Sequence, residues 1–186
     1  MIKDFDLLQR ANNDYTTIDL EHAEELAYRE LIDSIRYIPL GDECGVMGNI
    51  ANIITYKGRF YIQEEQFDRV FIYDDTGRCL KKIDNKGRGP GEYLRIESID
   101  INTEKEELML VDGMSDKLFF YDLDGNFKSI HSIRYFQTEN TLCLRDSVFL
   151  HISAPSQNFG NEGLYGYALV LSKGNENFLK GSRYLP

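Results

Sequence analysis

"RFYIQEEQFDRVFIYDDTGRCLKKI" (59–83) and "ELMLVDGMSDKLFFYDLDGNFKSIH" (107–131) superpose without a gap at an offset of 48 residues. Asp68 falls on Asp116, Phe71 on Phe119, Tyr73-Asp74 on Tyr121-Asp122 and Gly77 on Gly125. The identities are few, but they sit at turn and core positions, where backbone and packing are most selective about residue type. Each copy reads as strands joined by turns. "FYI" and "LMLV" are apolar runs of strand length; "RVFIYD" and "KLFFYD" are second runs rich in Phe, Tyr and Ile; "CLKKI" and "FKSIHSI" return with alternation. The turns "DDTGR" and "DLDGN" separate the last two, with Gly at a positive-φ position and Asp capping the turn backbone. "IANIITY" (50–56) and "SIDIN" (98–102) supply one more strand ahead of each copy.

Each unit is therefore a four-stranded antiparallel meander of roughly 40–50 residues, the size of one β-propeller blade. Helix is excluded because glycine turns recur too often and the apolar spacing is not 3.6. A β-sandwich is the rival, and the gapless repeat favours blades. A looser third unit follows, with "TLCLRD", "SVFLHIS", "GYALVLSKG" and "ENFLKG" as its strands and an inserted loop, "APSQNFGNEGLY" (154–165), in its middle. The expected fold is all-β, with about three blades over residues 46–84, 97–134 and 139–182 inside a partial propeller domain, 33–186. Ahead of it, residues 1–32 form an arm. Leu20, Ala23, Leu26, Ala27 and Leu31 have helical spacing over 17–31, and "DSIRYIPL" (33–40) alternates like a single strand that should join a blade.

The chain has 186 residues, enough for one domain with a real core, and 42% of them are hydrophobic, which argues against disorder. Its formal net charge of −10 repels nucleic acid and anionic membrane surfaces alike. No segment approaches the ~18 apolar residues of a membrane span, and the N-terminus has no signal-peptide core. Cys44, Cys79 and Cys143 are far apart, without a C-x-x-C pair, so zinc and dithiol chemistry are disfavoured. Three reduced thiols in or near strands are the expectation, a single bridge the alternative.

The stretch "DNKGRGPGEYLRI" (84–96) is not repeated. It runs from the last strand of one meander to the first of the next. It does not read as a phosphate loop, because it leads into a strand and lacks Gly-Lys-Ser/Thr. Its glycines permit tight backbone at the crossing while Pro90 stiffens it. The functional reading of the same loop is that Arg88, Glu92 and Tyr93 line an axial pocket.

"LIDSIRYIPLGDE", "FIYDDTGRCLKKIDNKGRGPGEYLRIESIDI" and "LFFYDLDGNFKSI" resemble a family of bacterial six-bladed β-propeller proteins, akin to NHL-repeat and TolB-like propellers. The match is good over about residues 30–135, and "GRGPGEY" is its most specific element. The resemblance implies a six-bladed ring and an exported, often lipid-anchored protein. A ring of that size needs about 250–380 residues, so the expectation is a fragment or shortened homologue; the other outcomes are an open half-ring with exposed sheet edges and a homodimer that completes the ring.

No catalytic or metal-binding signature is present, and no cofactor is expected. There is no G-x-S-x-G elbow, "HAEEL" lacks the second His of a zinc motif, and "DLDGN" begins like a calcium loop without its closing Glu. His131 and His151 could face each other in adjacent blades, although a lone strand His is more often structural. Glu64-Glu65 and Glu106-Glu107 read as solvated turns. The functional expectation is a non-catalytic binding or scaffold module for a protein, peptide or glycan. The alternatives are a lyase or hydrolase working in the axial funnel, and a truncated propeller without activity of its own.

Overall fold

The computed structural model describes residues 3–4, 32–133, 140–145, 148–152, 167–173 and 176–183. Three antiparallel meanders make up nearly all of it. The first sheet is β2 (Ile50–Tyr56), β3 (Arg59–Glu64), β4 (Arg69–Asp74) and β5 (Cys79–Ile83), paired in that order. The second is β6 (Ser98–Asn102), β7 (Glu107–Asp112), β8 (Lys117–Asp122) and β9 (Phe127–Ser132). The third comprises β10 (Asn140–Arg145), β11 (Val148–Ile152), β12 (Tyr167–Lys173) and β13 (Glu176–Arg183), with β1 (Lys3–Asp4) added in parallel to the free edge of β13.

The repeat seen in the sequence is a repeat in register. Phe71 pairs with Ile62 and Lys82, and Phe119, 48 positions on, pairs with Leu110 and Ile130. The turns agree as well. Asp74 Oδ1 accepts hydrogen bonds from the Thr76 and Arg78 amides, and Asp122 Oδ1 from those of Asp124 and Asn126. Gly77 and Gly125 sit at φ 88° and 79°, where a side chain would be strained.

Burial shows how the sheets are arranged. The middle strands β3, β4, β7 and β8 are buried almost throughout, whereas β9 has no buried residue and β5 is buried only at its two ends, Cys79 and Ile83. A strand buried on both faces must have a neighbouring layer on each side. In β8, Phe119 and Tyr121 pack with Tyr61, Val70 and Ile72 of the first sheet. Leu118 and Phe120 point the opposite way and pack with Phe149 of the third. The strand β6 lies beside both β2 and β10, and its Ser98 Oγ and Asp100 Oδ2 accept the Thr141 and Cys143 amides of β10. Successive sheets therefore fan out with their first strands side by side, a propeller-like arrangement. The outer strands carry lysines, Lys81 and Lys82 on β5 and Lys128 on β9, which discourage edge-to-edge pairing.

Three expectations are corrected. Residues 33–40 form no strand: the segment runs irregularly past the β4–β5 turn, where Arg36 donates to the Asp75 carbonyl and the Gly41 amide to that of Gly77. Pro39 has no amide to give a ladder. Cys44 and Cys79 form a disulfide, because residues 41–47 fold back over the outer face of the first sheet and bring the two Cα atoms to 5.9 Å. Glu64 is not solvated; it is fully buried at the end of β3 and holds Arg69 Nε at 2.8 Å across the hairpin. The expected helix over 17–31 and the inserted loop 154–165 lie outside the described residues.

Candidate functional site

The connection from β5 to β6 is ordered by its own chemistry. The Gly87 amide donates to the Tyr93 carbonyl, the Tyr93 amide to Asn85, and the Glu92 amide to Gly89, which closes the loop into a narrow hairpin. Glu92 Oε2 accepts the Gly89 amide at 2.7 Å. A Cβ on Gly87 would lie 2.0 Å from that same oxygen, so the glycine leaves space for the carboxylate. Gly91 takes φ 82°.

Beneath the loop, Asp68 gathers three elements. Its carbonyl accepts the Tyr93 hydroxyl at 2.8 Å, its Oδ1 accepts the Ile96 amide at 3.1 Å, and its Oδ2 pairs with Lys86. Asp68 holds φ 56°, a left-handed conformation that Asp tolerates better than most residues. Gln63 Nε2 donates to the Ile96 carbonyl, and Asp112 Oδ2 accepts the Leu94 amide. Loop, β3–β4 turn and β7 are thus joined by a continuous set of hydrogen bonds.

The three sequence-predicted residues fall into two environments. Tyr93 is buried, with its ring edge-on to Phe119 at 6.0 Å, and burial pushes its hydroxyl pKa up. Its role in this geometry is to hold the loop. Arg88 and Glu92 are exposed on the loop above it. Arg88 makes no ion pair or hydrogen bond with another described residue, while Lys82, Lys86 and Arg95 nearby pair with Asp84, Asp68 and Glu97. Residues 81–95 contain five basic and two acidic side chains, a local reversal of sign in an acidic chain. Sequence reading missed Asp68 as the organiser of this loop. Its signal was there, as the match of Asp68 to Asp116, both of which adopt positive φ in corresponding turns.

His131 and His151 serve structure. His131 packs on Phe120 at 5.0 Å between ring centroids, and Phe120 packs in turn on Phe149, so the two histidines are linked through aromatic rings rather than facing each other. His151 is buried, with Nδ1 2.9 Å from Thr141 Oγ1 and Nε2 2.7 Å from Ser172 Oγ. Burial lowers its pKa to about 4. A histidine depressed in the folded state binds its proton more readily when unfolded, at about 6.5, so stability is full above that pH and falls as the pH drops towards 4. Denaturant midpoints measured at pH 7 and pH 4.5 should differ by up to about 3 kcal/mol in unfolding free energy. The same comparison on His151→Gln should be nearly flat; an unchanged pH dependence would remove His151 as its cause.

Among the described residues no three His, Cys, Asp or Glu side chains converge as a metal site, and no helix is long and apolar enough to cross a membrane.

Two solved structures share this architecture. One described as an exported protein of Bacteroides fragilis NCTC 9343 is 20% identical, with a TM-score of 0.65 over 75% of this chain and 39% of its own. U3-55K is 11% identical, with a TM-score of 0.51 over 70% of this chain and 39% of its own. The β-propeller domain of Cps50 (Swd1) from Myceliophteria thermophila is a more distant likeness, 17% identical with a TM-score of 0.41 over 74% and 40%. At these identities the likeness concerns fold alone. The chain spans about two fifths of the length of these structures. No curated protein matches it in sequence. The model of the family described as Domain of unknown function (DUF4934) matches residues 15–182, and the chain belongs to that family.

Proposed function

We propose that the chain is a non-catalytic recognition module that binds an acidic protein, peptide or glycan through the loop at 87–92. Arg88 is the principal contact, Glu92 shapes the loop and adds a second polar contact, and Tyr93 fixes the loop from below. The observation that carries this reading is the combination of a rigidly tied base with an exposed tip whose cation has no described partner. A preorganised loop loses little entropy on binding, and Arg is suited to bidentate recognition of carboxylates and phosphates. The local basic charge favours an acidic ligand over a neutral one.

In this reading the three sheets are half of a six-bladed ring of the NHL and TolB-like kind. The ring is completed by further blades of a longer product or by a second copy. Export is part of the proposal: the Cys44–Cys79 disulfide fits an oxidising compartment, and the Bacteroides structure is described as exported.

Arrays of acidic and neutral peptides and glycans test it. The expected result is binding to acidic probes that weakens with added salt and falls at least about tenfold in Arg88→Glu, with thermal stability unchanged. Equal binding by Arg88→Glu, or retention of neutral probes alone, would contradict it.

A further inference from the structure

In an antiparallel meander, turns alternate between the two ends of the sheet. The β3–β4 turn and the 84–97 connection share one end; the β2–β3 and β8–β9 turns lie at the other. At that second end, between the first and second sheets, is a cleft of about 460 Å³ lined by Lys57, Arg59, Glu106, Asp122, Leu123 and Asp124. Its volume is within the ~300–1,000 Å³ range of small-molecule sites.

Two cross-sheet bridges frame the cleft. Lys57 of the β2–β3 turn pairs with Glu106 of the β6–β7 turn, both about half exposed. Arg59 of β3 donates through Nη1 to Asp124 Oδ1 at 2.7 Å and to the Leu123 carbonyl at 2.8 Å, and Tyr61 donates to that same carbonyl. Asp122 is committed to its own turn through Asn126. The positions of the framing groups are thus set by backbone and core, while the exposed ion pairs are held by little net energy. A ligand that offers its own hydrogen bonds can replace them.

The composition of the lining selects the ligand. Three carboxylates and two cations face one space, so an anion meets the carboxylates and a cation meets Lys57 and Arg59. A hydroxyl both donates and accepts, so a neutral polyol can satisfy both kinds of group at once. Neighbouring hydroxyls on a sugar ring match the two-pronged geometry of guanidinium and carboxylate. The Leu123 carbonyl, which already accepts from Arg59 and Tyr61, adds one more acceptor to the lining.

We propose that this cleft between the first two sheets binds a neutral saccharide of one or two rings, at a site that shares no lining residue with the loop at 87–92. The geometry assigns Arg59 and Lys57 as donors to sugar oxygens, and Glu106 and Asp124 as acceptors from sugar hydroxyls.

The test is saturation-transfer NMR and calorimetry on the full 186-residue chain. The probes are glucose, galactose, maltose and cellobiose, with glucuronate, glucosamine and lysine as charged comparators. Binding of at least one neutral sugar is expected, weakened about 10- to 100-fold in Glu106→Gln and Asp124→Asn. Both variants alter exposed side chains, and unchanged melting temperatures show that they fold. Failure of every neutral sugar, binding of charged comparators alone, or full affinity in both variants would each overturn the proposal.

Discussion

Phe119→Ala is expected to destabilise the chain by about 4 kcal/mol, a large share of the ~5–15 kcal/mol that holds a typical domain together. Phe119 has no exposed surface, stands edge-on to Tyr93 and belongs to the cluster that joins the first two sheets. Truncation leaves a ring-sized void that hydrogen-bonded strands on both sides cannot collapse to fill. It also removes the surface against which Tyr93 positions the loop, so loop amides should lose hydrogen-exchange protection beyond the global change. Ile53→Ala is the control. Ile53 lies on β2 and is 51% exposed, so its loss should cost under about 1 kcal/mol. Urea denaturation of both variants checks the contrast; similar losses would mean that the sheets do not pack as described.

Reduction of Cys44–Cys79 gives the second large effect. The bond closes a loop with a sequence separation of 35, and the chain-entropy estimate for such a loop is about 4 kcal/mol. The loss is local as well as global. The bond fastens residues 41–47 over Ile62, Phe71 and Tyr73, where Glu43 Oε2 accepts the Cys79 amide and the Tyr73 hydroxyl donates to the Gly41 carbonyl. Freed of that cover, the outer face of the first sheet becomes an apolar surface prone to association. Denaturation of the thiol-reduced chain and of Cys44→Ala should agree with each other, and both should fall below the oxidised chain by about 4 kcal/mol. Cys143 contributes nothing to the difference, since it is a free thiol beside the second sheet, and burial raises its pKa to about 11. Equal stability of oxidised and reduced chains would show the bridge to be dispensable.

What the sequence disclosed follows from the physics of each element. Strand positions were legible because burial on both faces selects an unbroken run of Phe, Tyr and aliphatic residues: "RVFIYD" and "KLFFYD" are the middle strands β4 and β8, each with four consecutive buried positions. Turns were legible because positive φ at Gly77 and Gly125 restricts the residue there. The disulfide was not, because an irregular segment carries no period that tells where it folds back. Residues 33–40 misled for a related reason: alternation gives a segment strand propensity, but a strand also needs a partner edge. The buried Glu64 was hidden because its burial depends on Arg69 across the hairpin, a pairing that composition does not encode. At the candidate site, Arg88, Glu92 and Tyr93 came from the unusual glycine content of their loop. Asp68, which ties that loop down, is an ordinary turn residue in sequence and an organiser only in three dimensions.

In this fold successive sheets fan out with β6 between β2 and β10. Inter-strand nuclear Overhauser effects on isotope-labelled protein test this most directly. Contacts are expected from β6 to both β2 and β10, including the Thr141 amide with the Ser98 side chain, and no backbone ladder between the outer strands β5 and β9. A backbone ladder between β5 and β9, with β6 silent towards β10, would contradict this arrangement.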